Sequence, residues 1–96
     1  TLEHIVQKTS KDVVTLLEIS NRGYIREGYY ADLVLVDFDN DWTVNKDNIL
    51  YKCGWSPFEG VQFTSKVEKT FVNGNLVYDN GNVIEGTTGK RLLFER

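Results

Sequence analysis

The sequence has no methionine, one proline, one cysteine and one histidine among its 96 residues. A single cysteine cannot form an internal disulfide, which fits a reducing compartment, so we expect a cytoplasmic protein. His4 and Cys53 are too few and too far apart in sequence to suggest a catalytic metal site, which needs several converging ligands. Because the chain starts at Thr1 and contains no methionine, we expect it to be a piece of a longer protein.

Neither sign of charge dominates the chain, which carries 11 Lys and Arg against 14 Asp and Glu, a net charge of −3. Basic residues never cluster beyond two in a row, so neither a nucleic-acid groove nor an anionic membrane surface is expected. No apolar run approaches the roughly 20 residues that a membrane-spanning helix needs. We therefore expect no nucleic-acid partner and no membrane partner.

The first 22 residues predict two short helices. The first has apolar residues at helical spacing on one face. Residues 9–12 match the capping-box pattern, which predicts the start of a second helix over residues 11–17. The Asn-Arg-Gly sequence at residues 21–23 is typical of a helix end. Two helices of this length cannot bury their apolar faces against each other alone, so we expect them to pack on a larger body.

The rest of the chain favours extended structure. Residues 31–37 form an apolar run that predicts a strand buried on both faces. Residues 66–72 alternate as a half-buried strand does, and the Asn-Gly pairs at 73–74 and 80–81 are typical of two-residue hairpin turns. Further extended segments follow, ending in the apolar run at 91–94. The fold class is therefore α+β, with helices first and mostly antiparallel β-structure after them.

The stretch at residues 52–60 holds the only proline, the only cysteine and one of the two tryptophans. Its glycines and its Ser-Pro pair exclude a helix interior or a central strand, so we predict an ordered loop. Trp55 and Phe58 are expected to pack against something, as core or interface residues rather than as a stacking platform for bases or sugars. The predicted structural loop comprises Cys53, Gly54, Trp55, Ser56, Pro57, Phe58, Glu59 and Gly60.

None of the candidate catalytic side chains meets the requirements of its chemistry. Ser56 lacks the glycine that a nucleophile elbow has two residues after the serine, and Cys53 has no adjacent base, so a buried or half-buried structural thiol is favoured. Glu59 is expected to tie down the backbone of its own loop, and Asp32 to order the start of a strand. With His4 expected at the surface, we predict no catalytic, cofactor-binding or metal-binding residue.

Two motifs carry a resemblance to a known family. Residues 23–37 resemble the G-x-I-x-x-G-x-x-A-D-L-V-x-x-D segment near the C-terminus of metal-dependent amidohydrolases. The loop sequence K-C-G-W-S-P-F-E-G at residues 52–60, followed by T-F-V-N-G-x-x-V-Y at residues 70–78, is similar to dihydroorotases of the hydantoinase-like branch. The resemblance covers essentially the whole chain. It departs at residues 9–14, where the family commonly has an Asn-Pro-Ala element.

The resemblance implies a fold and a division of the chain. Residues 1–22 would be terminal helices in the outer layer of a (β/α)8 barrel. Residues 23–96, including the loop at 52–60, would be part of the composite β-sandwich of the family. The partner would then be the remainder of the parent chain, comprising the barrel and the N-terminal sandwich strands, and a homo-oligomer stays open.

The resemblance also implies an activity. Dihydroorotases are zinc amidohydrolases of pyrimidine biosynthesis whose small-molecule substrates are N-carbamoyl-L-aspartate and L-dihydroorotate. The zinc and base motifs of the family do not occur in this sequence, so zinc is expected in the parent enzyme and neither zinc nor activity in the 96 residues alone. The alternatives are a C-terminal segment of a hydantoinase, dihydropyrimidinase or allantoinase, or a stand-alone β-rich interaction module.

Overall fold

One continuous helix opens the computed structural model, which describes residues 1–86 and 88–95. The helix begins with α1 (Leu2–Val6), passes through a π-helical turn (Gln7–Lys11) and continues as α2 (Asp12–Leu17). Its N-terminus is capped by the hydroxyl of Thr1. It ends because Glu18 adopts a left-handed conformation, with φ of 56°.

The prediction of two helices is wrong, because the capping box expected over residues 9–12 does not form. The Thr9 hydroxyl instead donates a hydrogen bond of 2.8 Å to the main-chain oxygen of Ile5, one turn earlier in the same helix. The Asp12 carboxylate accepts a hydrogen bond of 3.0 Å from Lys8 Nζ rather than reaching back to a cap. Both side chains thus bond within a continuing helix, which widens locally into a π-helical turn.

Six strands follow in the part of the chain that the structure describes. They are β1 (Leu33–Asp37), β2 (Trp42–Thr43), β3 (Gln62–Phe63), β4 (Lys66–Val72), β5 (Asn75–Asp79) and β6 (Asn82–Val83). An antiparallel sheet has the order β1-β4-β5-β6, and β2 pairs with β3 in a separate antiparallel ribbon. A single 3₁₀ turn (Lys46–Asn48) precedes the loop at residues 52–60. The predicted helix-then-antiparallel-strand order is confirmed.

Both predicted Asn-Gly hairpin turns are confirmed. Asn73 and Gly74 connect β4 to β5 with φ of 52° and 79°, and Asn80 and Gly81 connect β5 to β6 with φ of 46° and 92°. Positive φ at both central residues gives a turn whose twist matches that of the two flanking strands.

Strand β1 is not buried on both faces as predicted. Val34, Leu35 and Val36 are 58%, 49% and 38% exposed. The strand lies at the edge of the sheet, where it pairs with β4 alone. Its apolar run is therefore typical of a strand with two covered faces, yet the described part of this chain leaves both faces open.

Two irregularities fix how side chains are distributed over the sheet. The register between β1 and β4 shifts between Leu35 and Val36, which leaves Glu68 of β4 as the extra residue. The register between β4 and β5 shifts once more and leaves Val77 of β5 as the extra residue. Each bulge changes which residues of its strand share a face.

The C-terminal segment returns to the end of the helix. The main-chain nitrogen of Ser20 donates a hydrogen bond of 2.8 Å to Leu93, and that of Glu95 donates one of 2.9 Å to Glu18. The predicted extended run at residues 91–94 thus forms a short antiparallel bridge instead of another strand of the sheet.

Little of the chain is buried. Within the described residues only Val44, just after β2, is classed as buried, with 7% of its surface exposed. Close packing also occurs at Gly23, where a Cβ atom would lie 2.5 Å from a methyl carbon of Val14 and where φ is +85°. That contact holds the chain against α2 as it leaves the helix.

Candidate functional site

Ser56 organises the loop at residues 52–60. Its hydroxyl accepts a hydrogen bond of 3.1 Å from the main-chain nitrogen of Phe58, and its carbonyl accepts one of 3.2 Å from that of Glu59. This is the local turn that a Ser-Pro pair favours. The hydroxyl is therefore used as a turn acceptor.

The end of the loop is attached to the chain after β2. Gly60 donates a hydrogen bond of 2.8 Å to the main-chain oxygen of Val44, and Val44 donates one of 3.0 Å to Val61. These two bonds extend the β2–β3 ribbon up to the loop. The end of the loop is thus hydrogen-bonded to Val44, the one residue that is buried in the described part of the chain.

A small aromatic cluster supports one side of the loop. The rings of Trp42 and Phe63 have centroids 5.6 Å apart, and Phe58 contacts Phe63 edge-on at 6.4 Å. Trp42 Nε1 also donates a hydrogen bond of 2.8 Å to the main-chain oxygen of Ser65. Phe58 is still 57% exposed and Trp55 is 60% exposed, so most of the loop's aromatic surface faces outwards.

Cys53 and Glu59 differ from what the sequence predicts. Cys53 is exposed rather than buried, with its sulfur 3.9 Å from the main-chain oxygen of Trp55. The carboxylate of Glu59 accepts no hydrogen bond from any described residue. The nearby amides of Phe58 and Gly60 donate instead to Ser56 Oγ and to the Val44 carbonyl, so they are not available to it.

The described residues bring together no metal-binding set. Among residues 1–86 and 88–95, no group of three or more His, Cys, Asp or Glu side chains could hold a metal ion. His4 is exposed on the first turn of the helix, where its main-chain nitrogen bonds to the Thr1 cap. In the loop, neither the Cys53 thiol nor the Glu59 carboxylate contacts a basic side chain among the described residues.

A polar cluster that the sequence did not reveal lies beside the start of β1. The Arg22 guanidinium forms an ion pair with Asp32 and donates a hydrogen bond of 3.4 Å to the main-chain oxygen of Lys90. Asp32 also accepts a hydrogen bond of 2.9 Å from the main-chain nitrogen of Asn73. Asp32 therefore orders the start of β1, as predicted, but its partners are far away in sequence.

This polar cluster is incompletely satisfied. The side-chain nitrogen and oxygen of Asn73 and the Nε atom of Arg22 are buried and have no hydrogen-bond partner among the described residues. The Arg22 side chain is only 12% exposed and lies over the Tyr30 ring, 4.2 Å from its centroid. Buried polar atoms without partners are costly, so these atoms are positions where a further donor or acceptor would stabilise the fold.

One face of the four-stranded sheet is largely apolar. Directly paired residues of antiparallel strands share a face, as Val36 and Val67 do. We define the valine face as Val34, Val36, Val67, Val72, Val77 and Val83. Val34 and Val83 are linked through the pairs with Thr70 and Tyr78, and the last four valines line one open depression together with those two residues. Val34 and Val83 are 58% and 59% exposed, so much of this face is open to solvent.

Two surface ion pairs shift the ionisation of their members. The hydrogen bond from Lys8 lowers the pKa of Asp12 from its ordinary value of 3.8. The hydrogen bond to Asp79, with Nζ 2.7 Å from the carboxylate, raises the pKa of Lys69 from its ordinary value of 10.5. Both pairs are exposed, so they adjust local stability and do not indicate a catalytic group.

None of the helices in the described part of the chain combines the length and hydropathy that crossing a membrane requires.

Comparison with known proteins identifies relatives along the whole chain. The profile of the amidohydrolase family matches residues 1–77. A dihydroorotase of Pyrococcus furiosus is 33% identical over 93 residues, which make up 97% of this chain and 22% of that protein. An allantoinase of Desulfitobacterium hafniense (strain DSM 10664 / DCB-2) is 34% identical over 91 residues, or 95% of this chain and 20% of that protein.

A solved structure has the same fold. The L-hydantoinase (dihydropyrimidinase) from Arthrobacter aurescens superposes with a TM-score of 0.77 at 28% sequence identity, over 88% of this chain and 19% of that chain. The present chain therefore spans about a fifth of the length of the relatives it matches.

Proposed function

Because this chain belongs to the amidohydrolase family, we propose that it is the C-terminal segment of a metal-dependent cyclic amide hydrolase of the dihydroorotase type. The observation that carries the proposal is the loop sequence K-C-G-W-S-P-F-E-G at residues 52–60, followed by T-F-V-N-G at residues 70–74. Identity to a dihydroorotase over 97% of the chain supports it.

The proposed parent reaction interconverts L-dihydroorotate and N-carbamoyl-L-aspartate, as a cytoplasmic step of pyrimidine biosynthesis. Opening the ring adds water across one amide C–N bond. The family implies a metal ion, proposed here to be zinc, but the residues of this chain do not fit one, because no set of ligands converges among those described. We therefore assign this segment a structural part in the enzyme, with the catalytic residues elsewhere in the parent.

The division of the chain supports that structural part. We propose that residues 1–22 belong to the outer helical layer of the barrel and residues 23–96 to the β-sandwich. The apolar face of the helix is open, with Leu2, Ile5 and Val6 at 52%, 59% and 52% exposure. Burying apolar surface stabilises by about 25 cal/mol per Å², so both this face and the valine face favour docking against further protein.

Allantoinase and hydantoinase remain the second candidate function. A specific observation favours keeping it, because the allantoinase of Desulfitobacterium is 34% identical and the dihydroorotase of Pyrococcus furiosus is 33% identical. Overall identity thus does not separate the substrates. A stand-alone interaction module is less well supported, since the family profile extends over residues 1–77 and the relatives are enzymes.

The test uses the full-length product of the gene that encodes this sequence. The purified protein is assayed, with its metal, on L-dihydroorotate, allantoin, hydantoin and dihydrouracil. Turnover of L-dihydroorotate at the highest kcat/KM is the expected result. A preference for allantoin or hydantoin would move the protein to the second candidate, and the absence of turnover on all four substrates would overturn the cyclic amide hydrolase proposal.

A further inference from the structure

Two turns of this chain share one sequence and one geometry but differ in their surroundings. Asn73-Gly74 and Asn80-Gly81 both have positive φ at their two central residues. In an Asn-Gly pair the glycine has no side chain to obstruct attack by its main-chain nitrogen on the side-chain amide carbon of the asparagine. Each turn is therefore chemically capable of spontaneous deamidation, and the fold decides which one reacts.

The first turn is tightly held. The main-chain nitrogen of Gly74, which would be the attacking atom, donates a hydrogen bond of 3.0 Å to the carbonyl of Ala31. The main-chain nitrogen of Asn73 donates one of 2.9 Å to Asp32 Oδ1. The nitrogen and oxygen of the Asn73 side chain are both buried. Reaction there requires loss of a hydrogen bond and movement of a buried side chain.

The second turn shares one of these restraints, because the main-chain nitrogen of Asn80 donates a hydrogen bond of 2.9 Å to the carbonyl of Glu68. It lacks the other two. Asn80 and Gly81 are both exposed. The main-chain nitrogen of Gly81 donates no hydrogen bond to any described residue. Nothing lies within 4 Å of a Cβ atom placed on Gly81, so no neighbouring atom crowds this side of the turn. The Asn80 side chain is held by one surface hydrogen bond, of 3.0 Å from Nδ2 to Asp79 Oδ1.

We propose that Asn80 is a site of spontaneous deamidation and that Asn73 is protected by the fold. The Gly81 nitrogen loses its proton and forms a bond to Asn80 Cγ, and the bond from Cγ to Nδ2 breaks, with ammonia leaving. Water then opens the resulting five-membered imide at either carbonyl. The product is aspartate or isoaspartate at position 80, without any oxidant or reductant.

The modification acts on the end of the sheet. A carboxylate at position 80 replaces a donor to Asp79 by a like charge, and Asp79 is the partner of Lys69 at 2.7 Å. Isoaspartate also inserts an additional backbone atom into a two-residue turn. Both changes weaken the pairing of the short strand β6 and loosen Val83, which belongs to the valine face.

Timed incubation of the 96-residue chain at mildly alkaline pH tests the proposal. Chymotryptic cleavage after Tyr78 puts the two asparagines in different peptides, and mass spectrometry measures the conversion of each. Without denaturant, Asn80 is expected to react at least about fivefold faster than Asn73, the factor that loss of one ordinary hydrogen bond implies. Equal rates, or faster reaction at Asn73, would overturn it.

Two further arms show whether the fold is the cause. In concentrated denaturant both asparagines precede glycine in an open chain, so their rates should become similar; a difference of the same size there would contradict the proposal. An Asp32→Ala variant removes the acceptor of the Asn73 main-chain nitrogen and so loosens the first turn. It should raise the deamidation rate at Asn73 and leave the rate at Asn80 within about twofold. An unchanged rate at Asn73 in this variant would count against protection by the fold.

Discussion

Asp32 accepts a hydrogen bond of 2.9 Å from the main-chain nitrogen of Asn73, a residue 41 positions further along the chain. The same carboxylate forms the ion pair with Arg22. One side chain thereby connects three segments, namely the stretch after the helix, the start of β1 and the turn between β4 and β5. Because these contacts join distant parts of the sequence, they stabilise the tertiary arrangement rather than any one strand.

Replacing Asp32 by Asn should destabilise the chain by about 1–3 kcal/mol, because the mostly covered Arg22 charge loses its counter-ion while the shape of the side chain is kept. Urea denaturation of the 96-residue chain measures the free energy of unfolding. The matched control is Asp39→Asn, since the exposed Asp39 carboxylate has no bonding partner in the described residues. Equal stability of the two variants would contradict a tertiary role for Asp32.

The aromatic cluster should depend on Phe63. Phe63→Ala removes the ring that contacts both Trp42 and Phe58. We expect the free energy of unfolding to fall by about 1–2 kcal/mol, less than for a fully buried aromatic residue, because Phe63 is 39% exposed. Phe38→Ala is the matched control, because Phe38 is 63% exposed, and it should change stability by less than about 0.5 kcal/mol. Urea titrations followed by tryptophan fluorescence compare them. Similar losses in both variants would show that the cluster is not cohesive.

The helix should respond to acid through Asp12. Its pKa is lowered in the folded chain by the hydrogen bond from Lys8, so the stabilisation is present above the ordinary value of 3.8 and is lost as the pH falls through the folded value. Circular dichroism should show a smaller acid-induced loss of helix in Lys8→Gln than in the wild type. Lys46→Gln, outside the helix, should keep the wild-type profile. Identical acid profiles for all three proteins would be the contrary result.

The Lys69–Asp79 pair should respond in the alkaline direction. The pKa of Lys69 is raised by its hydrogen bond to Asp79, so the stabilisation of the β4–β5 pairing is present below 10.5 and is lost as the pH rises through the folded value. Urea midpoints measured across this window should fall more steeply for the wild type than for Lys69→Gln. If the urea midpoints of the two proteins changed equally with pH, the Lys69–Asp79 ion pair would not stabilise the pairing of β4 with β5.

Trp55 should matter more in the proposed parent than in the 96-residue chain. Because Trp55 is 60% exposed, Trp55→Ala should change the stability of the chain by less than about 0.5 kcal/mol. If the parent covers the loop, the same substitution there should cost about 3–5 kcal/mol, as is typical of a buried aromatic. Denaturation of both proteins measures the difference, each context serving as the control for the other. A small effect in both would leave the loop exposed in the parent as well.

Several elements could be predicted because their signals are local. The Asn-Gly pairs predict both hairpin turns, since few residues adopt positive φ at two consecutive positions. The Ser56-Pro57 pair likewise predicts the turn that Ser56 makes within the loop. The prediction from the capping-box pattern at residues 9–12 was wrong because the Thr9 hydroxyl donates to a competing acceptor, the Ile5 carbonyl of the preceding turn. The sequence pattern does not indicate which of the two hydrogen bonds is more stable.

The non-local features could not be predicted in the same way. Nothing near Arg22 indicates that it pairs with Asp32, and nothing near Asn73 indicates that its amide bonds to that carboxylate. The predicted burial of β1 was wrong for a related reason. The run in β1 has the composition of a covered strand, but whether it is covered depends on elements outside the run, and β1 lies at an edge here.

The two bulges, at Glu68 of β4 and Val77 of β5, favour one alignment of β1, β4 and β5. A regular strand that moves along its neighbour by two residues still presents the same side chains to each face, because side chains alternate with a period of two. Here a shift of two residues would move Glu68 or Val77 out of its bulge. The apolar side chains of the valine face would then no longer lie beside each other on neighbouring strands. The bulges therefore favour the observed register of β1, β4 and β5 over one shifted by two residues. This preference does not depend on how much surface the sheet buries.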